Sequence, residues 1–231
     1  KLLSTRLPQP MLHMLHRAGE LGDRLQVSVY AVGGFVRDIM LSRPAVEFDD
    51  VDLVVEGDGI AFARALAQEL GGRVREHRTF MTAIIIYHDE NGEEQRLDVA
   101  TARLEYYKYP AALPTVELSS IKMDLFRRDF TINAMALRLN KGQFGCLVDF
   151  FGGQSDIQRK TIRIIHALSF VEDPTRIIRA VRFEQRYGFH ISTQGEKLIR
   201  NALSLNLVEK LSGARILHEL NLIFREDEPE T

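Results

Sequence analysis

Residues 25–32 alternate loosely between apolar and polar positions and carry β-branched side chains, which predicts a strand ending at Gly33-Gly34. A short helical pattern follows over 35–41, and residues 51–55 form a second apolar run, short enough for a strand buried on both faces. Ile60, Ala63, Leu66, Ala67 and Leu70 recur at helical spacing, and Gly71-Gly72 terminate that helix. Residues 81–87 and 96–100 are β-rich runs joined through Asp89-Glu90-Asn91-Gly92, a hairpin turn by composition. Residues 1–24, with Leu12, Leu15 and His16 among polar positions, predict a short lead-in helix or linker. From Asp156 onward strand patterns vanish. Ile177, Ile178 and Val181 line one helix, and Leu198, Ala202, Leu205, Leu217, Leu220 and Ile223 mark others. This order predicts an α+β head over 25–153, a mixed β-sheet flanked by helices, and then an all-helical domain over 154–231, with the boundary near Gly152-Gly153.

Composition narrows the setting. The 231 residues are 45% hydrophobic and 27% charged, the balance of an ordinary globular protein. No apolar run approaches the roughly 20 residues that a membrane span needs, so no membrane partner is expected. The single cysteine, Cys146, allows no internal disulfide and points to a reducing cytoplasm. The chain opens on Lys1 rather than Met, so it is expected to be a piece of a longer protein with further domains on both sides. Net charge is −2, but arginines cluster at Arg127-Arg128 and through Arg176, Arg179, Arg182 and Arg186, offset by the acidic tail at 226–228. A local basic cluster inside a balanced total permits phosphate binding at one site.

The segment Phe48-Asp49-Asp50-Val51-Asp52-Leu53-Val54-Val55 sets acids at the start of an apolar strand. Residues two apart on a strand share a face, about 6.6 Å from each other, so Asp50 and Asp52 project together while Asp49 points away. Two such carboxylates suit magnesium, a hard cation that prefers oxygen ligands. By itself the pair is better described as a solvated acidic turn before a strand. Gly33-Gly34-Phe35-Val36-Arg37-Asp38 supplies a second signal. Two glycines allow positive-φ backbone and close approach of a phosphate to main-chain amides, with Arg37 near enough to reach it. Neither the Gly-Lys-Ser/Thr of a Walker loop nor Gly-x-Gly-x-x-Gly is present.

Gly33-Gly34-Phe35-Val36-Arg37-Asp38 followed by Asp50-Val51-Asp52 resembles the first signature of the tRNA nucleotidyltransferase and bacterial poly(A) polymerase family, within the DNA polymerase beta superfamily. Residues 127–136, Arg-Arg-Asp-Phe-Thr-Ile-Asn-Ala-Met-Ala, resemble its sugar-binding block, and residues 172–183, beginning Glu172-Asp173-Pro174-Thr175-Arg176, resemble its base-selecting block. The resemblance implies a nucleotidyltransferase head followed by a helical neck. It implies Mg²⁺ held by Asp50 and Asp52, a triphosphate supported by Gly33, Gly34 and Arg37, and a nucleotide positioned by Arg128, Asp129 and Asn133. Asp173 and Arg176 would pair with the base of ATP or CTP in place of a template strand, while Arg179 and Arg182 contact phosphate or brace the site. The implied reaction is attack by the 3′ hydroxyl of an RNA, expected to be a tRNA, on the α-phosphate, with release of pyrophosphate. Within the class, poly(A) addition and A-only or CC-only addition remain open, and a non-catalytic ATP-sensing domain is the rival outside it.

The residues themselves allow both functional and structural accounts of these blocks. Asp129 and Asn133 share a face if their stretch is helical, fit for ribose hydroxyls or merely an ion pair on a surface helix. Stepping by three gives Asp173, Arg176, Arg179 and Arg182 a slowly turning stripe, with Ile177, Ile178 and Val181 opposite it in a core. Asp173 is expected at the N-cap and Pro174 in the first turn. Asp98, on a strand that can neighbour the carboxylate strand, is a third ligand, a supporting group or a solvent-facing residue. Residues 105–120, rich in Tyr and Pro, are a mobile or a packed loop, and the seven histidines show no metal-ligand spacing.

Overall fold

Two helices open the chain, α1 (Leu2–Arg6) and α2 (Gln9–Arg24). In α2, Met14, Leu15, Ala18 and Leu21 recur every three or four residues and are buried, so the predicted short lead-in is a full amphipathic helix. This computed structural model describes residues 2–42, 51–89, 91–106 and 115–226. It divides into two units, the first made of Lys1–Leu104, Val116–Arg127 and Asn133–Phe150, the second of Glu105–Thr115, Arg128–Ile132 and Phe151–Thr231.

The first unit continues with β1 (Ser28–Val32), α3 (Gly34–Met40), β2 (Val51–Glu56), α4 (Gly59–Leu70), β3 (Arg73–His77), β4 (Thr82–His88) and β5 (Glu94–Thr101). Asp58 starts α4 by accepting from the Ile60 and Ala61 amides, and left-handed Gly71 (φ 67°) ends it. The short strands β6 (Arg103–Tyr106) and β7 (Thr115–Leu118) pair with each other, and α5 (Ile121–Phe126) follows. Strands β8 (Ala136–Arg138) and β9 (Leu147–Val148) complete a seven-stranded sheet of order β3-β4-β5-β2-β1-β8-β9. The sheet is mixed: β2 and β5 run parallel, and its other pairs are antiparallel. Edge strand β3, Arg-Val-Arg-Glu-His, escapes a hydrophobic reading because its only large apolar residue is Val74, and charge suits an edge.

The two faces of this sheet differ. Ala83, Val99, Leu53, Ala31 and Leu137 lie side by side across five strands, and each is at most 1% exposed. Helix α4 packs along β2 to β5, and α2 along β1 and α4. One residue along, the row reads Ile84, Asp98, Asp52, Val32 and Ala136. There Asp52 is exposed and Asp98 half-buried, so the sheet opens where the carboxylates stand.

The second unit holds α6 (Gly153–Gln158), β10 (Thr161–Ile162), α7 (Ser169–Glu172), α8 (Thr175–Tyr187), β11 (His190–Ile191), α9 (Thr193–Ser204) and α10 (Gly213–Ile223). It is not wholly helical, because β10 and β11 pair in parallel. Two-residue strands are too short to show an alternating pattern. The Arg128–Ile132 segment belongs here: Phe130 bridges to Ile164, the Thr131 amide donates to Arg163 O at 2.9 Å, and the Thr131 hydroxyl donates to Asp156 Oδ2 at 2.5 Å. Phe130 meets Phe183 edge-on at 5.8 Å.

Helix α8 reverses part of the sequence expectation. Arg176 and Arg182 are buried beside Ile177, Ala180 and Phe183, whereas Val181 is 47% exposed. Arginines line the inner face because carboxylates meet them there, which makes their burial tolerable. The helix also begins one residue late: Pro174 flanks it, and Asp173 lies one position further out.

Candidate functional site

Asp52 on β2 and Asp98 on β5 are direct register partners on parallel strands. Partners of this kind point to the same face with strands about 4.8 Å apart. Both Asp98 oxygens lie 3.1 Å from Arg96 Nη2. Asp49 and Asp50 fall outside the described residues, and among the described residues no three His, Cys, Asp or Glu side chains gather as a metal cluster. Asp52 and Asp98 nevertheless offer an oxygen-only donor set on an open face, which fits a hard divalent cation.

Beside this face, Gly33 turns β1 into α3. Its φ of 73° and ψ of −134° lie in a region that residues with a Cβ rarely adopt, and its amide donates to Met135 O at 3.2 Å. The Arg37 side chain folds back, so that a Cβ on Gly34 would stand 3.2 Å from Nη2. Arg37 is 6% exposed. Its Nε and Nη2 donate to the two oxygens of Asp38, each at 2.9 Å, and Nη1 donates to Asn133 Oδ1 at 2.6 Å. The guanidinium expected to reach a phosphate therefore sits behind the glycine turn in a forked ion pair. Arg127 is held in the same way by its Nη2 bond to wholly buried Asp124, 2.7 Å long.

The structure separates Asp129 from Asn133. Residues 128–133 are not an α-helix; Phe130 forms a β-bridge and Thr131–Asn133 a tight 3-10 turn, so spacing by four no longer sets a common face. Asn133 joins Arg37 in the first unit, and Asp129 joins Arg179 in the second. Asp129 Oδ1 accepts from the Phe130 amide at 2.8 Å, while Oδ2 accepts from Arg179 Nε at 2.9 Å and Nη2 at 2.5 Å. Burial opposes the charge on Arg179, but Asp129, together with Glu219 and Asp173, outweighs it and raises the guanidinium pKa. Arg128 is half-buried.

Glu219 of α10 extends this charge chain, 3.7 Å from both Arg179 and Arg182, and Glu226 lies 3.2 Å from Arg182 and 3.6 Å from Arg186. Asp173 Oδ1 accepts from the Thr175 amide at 3.0 Å, the Thr175 hydroxyl at 2.6 Å and Arg215 Nη2 at 2.8 Å. Buried Arg176 donates through Nη1 to Ser169 Oγ at 2.7 Å. Burial, and then the Arg176 charge, lower the pKa of His166; burial raises that of Glu172, 3.5 Å from the His166 ring. Sequence reasoning passed over Arg215, Glu219 and Asp124. The four-residue spacing of Arg215 and Glu219 in the last helical pattern was the available signal.

A mixed sheet that presents carboxylates on an open face beside a strand–Gly-Gly–helix turn is the architecture of a nucleotidyltransferase head. The chain belongs to the Poly A polymerase head domain family, whose model matches residues 29–163. Over 228 residues it is 55% identical to the A-adding tRNA nucleotidyltransferase of Geobacter sulfurreducens, covering 99% of this chain and 25% of that protein. A solved apo form of a CCA-adding enzyme superposes with a TM-score of 0.91 at 47% identity, over 99% of this chain and 52% of that one. A CCA-adding enzyme solved with ATP gives 0.86 at 44% identity, over 99% and 51%. The chain thus spans a quarter to about half the length of these relatives.

Proposed function

We propose that this chain is the nucleotide-adding part of a tRNA nucleotidyltransferase, in which the 3′ hydroxyl of a tRNA attacks the α-phosphate of ATP or CTP and pyrophosphate leaves. The observation that carries this reading is the pairing of Asp52 with Asp98 on the open face of the sheet. Asp50 and Asp52 hold Mg²⁺, with Asp98 as a further oxygen donor. When bound, the ion lowers the pKa of the attacking hydroxyl and offsets charge on the phosphates.

The remaining roles are those that the family resemblance implies, and the contacts of several of these side chains support them. Gly33 and Gly34 let the triphosphate approach main-chain amides, and Arg37 adds positive charge from behind Gly34, held still by Asp38 and Asn133. Arg128 and Asp129 position the sugar and phosphate, with Asp129 fixed by Arg179. Asp173 and Arg176 choose the base. A carboxylate accepts from the amino group that adenine and cytosine carry, and it repels the carbonyl that guanine and uracil place there. Arg179 and Arg182 brace this arrangement through Glu219. We place the protein in the cytoplasm, where Cys146, exposed and free, stays reduced. Among the described residues no helix is long and apolar enough to cross a membrane.

The similarity to an A-adding enzyme favours adenosine as the nucleotide transferred. The full-length protein is tested with tRNA ending in CC and tRNA lacking CCA, each with one labelled nucleotide. AMP addition to the CC end alone marks an A-adding enzyme. CMP addition to the shorter tRNA marks a CCA- or CC-adding one. No addition of any nucleotide, with ATP still bound, would leave the ATP-sensing alternative and overturn the proposal.

A further inference from the structure

We infer that Arg215 is a positioning residue for base selection, acting through Asp173; this rests on the proposed reading of Asp173. All three donors to Asp173 fall on Oδ1. Two come from Thr175, two residues on, and tie the carboxylate only to its own backbone turn. The third, Arg215 Nη2, arrives from α10, 42 residues further along the chain. Among the described residues no donor falls on Oδ2, the oxygen that remains for an exocyclic amine. With Oδ1 anchored from two elements, the carboxylate plane is fixed and Oδ2 is held as an acceptor.

The same helix holds α8 at a second point. Glu219 follows Arg215 by one helical turn and lies 3.7 Å from both Arg179 and Arg182. Helix α10 therefore presents a cation to the acid that precedes α8 and an acid to the cations within it. The first contact sets the orientation of the acceptor, and the second sets where α8 lies. Loss of the Arg215 bond frees the carboxylate to rotate on its Thr175 anchor, which lets a carbonyl-bearing base compete.

The test uses the full-length protein and tRNA ending in CC, reading kcat/KM for ATP and for GTP. Wild-type protein that adds no nucleotide removes the underlying reading; the outcomes below concern Arg215 alone. Arg215→Ala is expected to lower the ATP-to-GTP ratio roughly tenfold, and Arg215→Gln, which retains length and polarity, gives a second reading of the same drop. In an Asp173→Ala background, Arg215→Ala is expected to change the ratio less than about twofold, because coupled residues are not additive. A ratio unchanged in both single variants, even where kcat falls, overturns the inference. So does an equal drop in the Asp173→Ala background.

Discussion

Asp52 and Asp98 stand opposite each other on the parallel strands β2 and β5, separated in sequence by a helix and two further strands. The parallel crossover that joins β2 to β5 places an acid of a charged, half-exposed strand beside one from a strand whose apolar residues are all buried. Their side chains share the face that α2 and α4 leave open.

Asp52→Ala is expected to reduce nucleotide incorporation below detection. Because Asp52 is exposed, stability should change by no more than about 0.5 kcal/mol. Asp98→Asn, which keeps shape and removes charge, is expected to cost on the order of 10–100-fold in apparent Mg²⁺ affinity. Incorporation measured across a magnesium titration, alongside urea unfolding, checks both. Unchanged magnesium dependence in Asp98→Asn would remove Asp98 from the ion site.

Arg37→Ala leaves the Asp38 carboxylate and the Asn133 amide without the guanidinium that joins them. Breaking a buried pair on one side typically costs about 3–5 kcal/mol, and a value near the lower end is expected because Asp38 keeps partial solvent access. Denaturant midpoints measure it. Arg37→Lys should recover little, since an ammonium cannot replace the fork.

Glu219→Ala is expected to destabilise the second unit by about 3 kcal/mol. Glu219 is 5% exposed, and its removal leaves Arg179 and Arg182 stacked near the Phe183 ring with less compensating charge. A thermal melt compared with that of Arg200→Ala, an exposed pair partner worth little, separates the buried effect from general loss of charge.

His166 carries a pH signature. Its folded pKa lies below the ordinary 6.5 because burial, and then Arg176, disfavour the cation. The unfolded state therefore takes up the proton first. The stability associated with neutral His166 is complete above about pH 6.5 and declines as pH falls through 6.5 toward the folded value. Glu172 acts in the opposite sense, since burial raises its pKa above 4.5 and protonation then favours the folded state. His166→Gln should lose less stability than the wild type between pH 7.5 and 5.5. An identical pH slope in the two proteins would refute the assignment.

Sequence patterns revealed what is local. Gly33-Gly34 between a strand and a helix, the helix stop at Gly71 and the apolar strand around Asp52 depend on neighbours within a few residues. The inner face of α8 is not legible locally, because the partners that hold half-buried Arg179 and buried Arg182 there, Asp129 and Glu219, lie 50 and 37–40 residues away. Asp129 and Asn133 share a face only if their stretch is helical, whereas Phe130 pairs with Ile164, a choice made by tertiary structure. Strands of two or three residues, such as β8 and β9, carry too few positions to show any period.

The stitching of Arg128–Ile132 to Ile164, Arg163 and Asp156 has a consequence for protein engineering. Helix α8 is not exchanged together with its supports by a single crossover near Phe150. Such a chimera would keep the recipient's Phe130 and Thr131 against a foreign Ile164 and Asp156. A working transplant has to carry at least two separate pieces of chain, the five residues Arg128–Ile132 together with everything from Phe151 on. In genetic terms, the natural unit of recombination here is discontinuous.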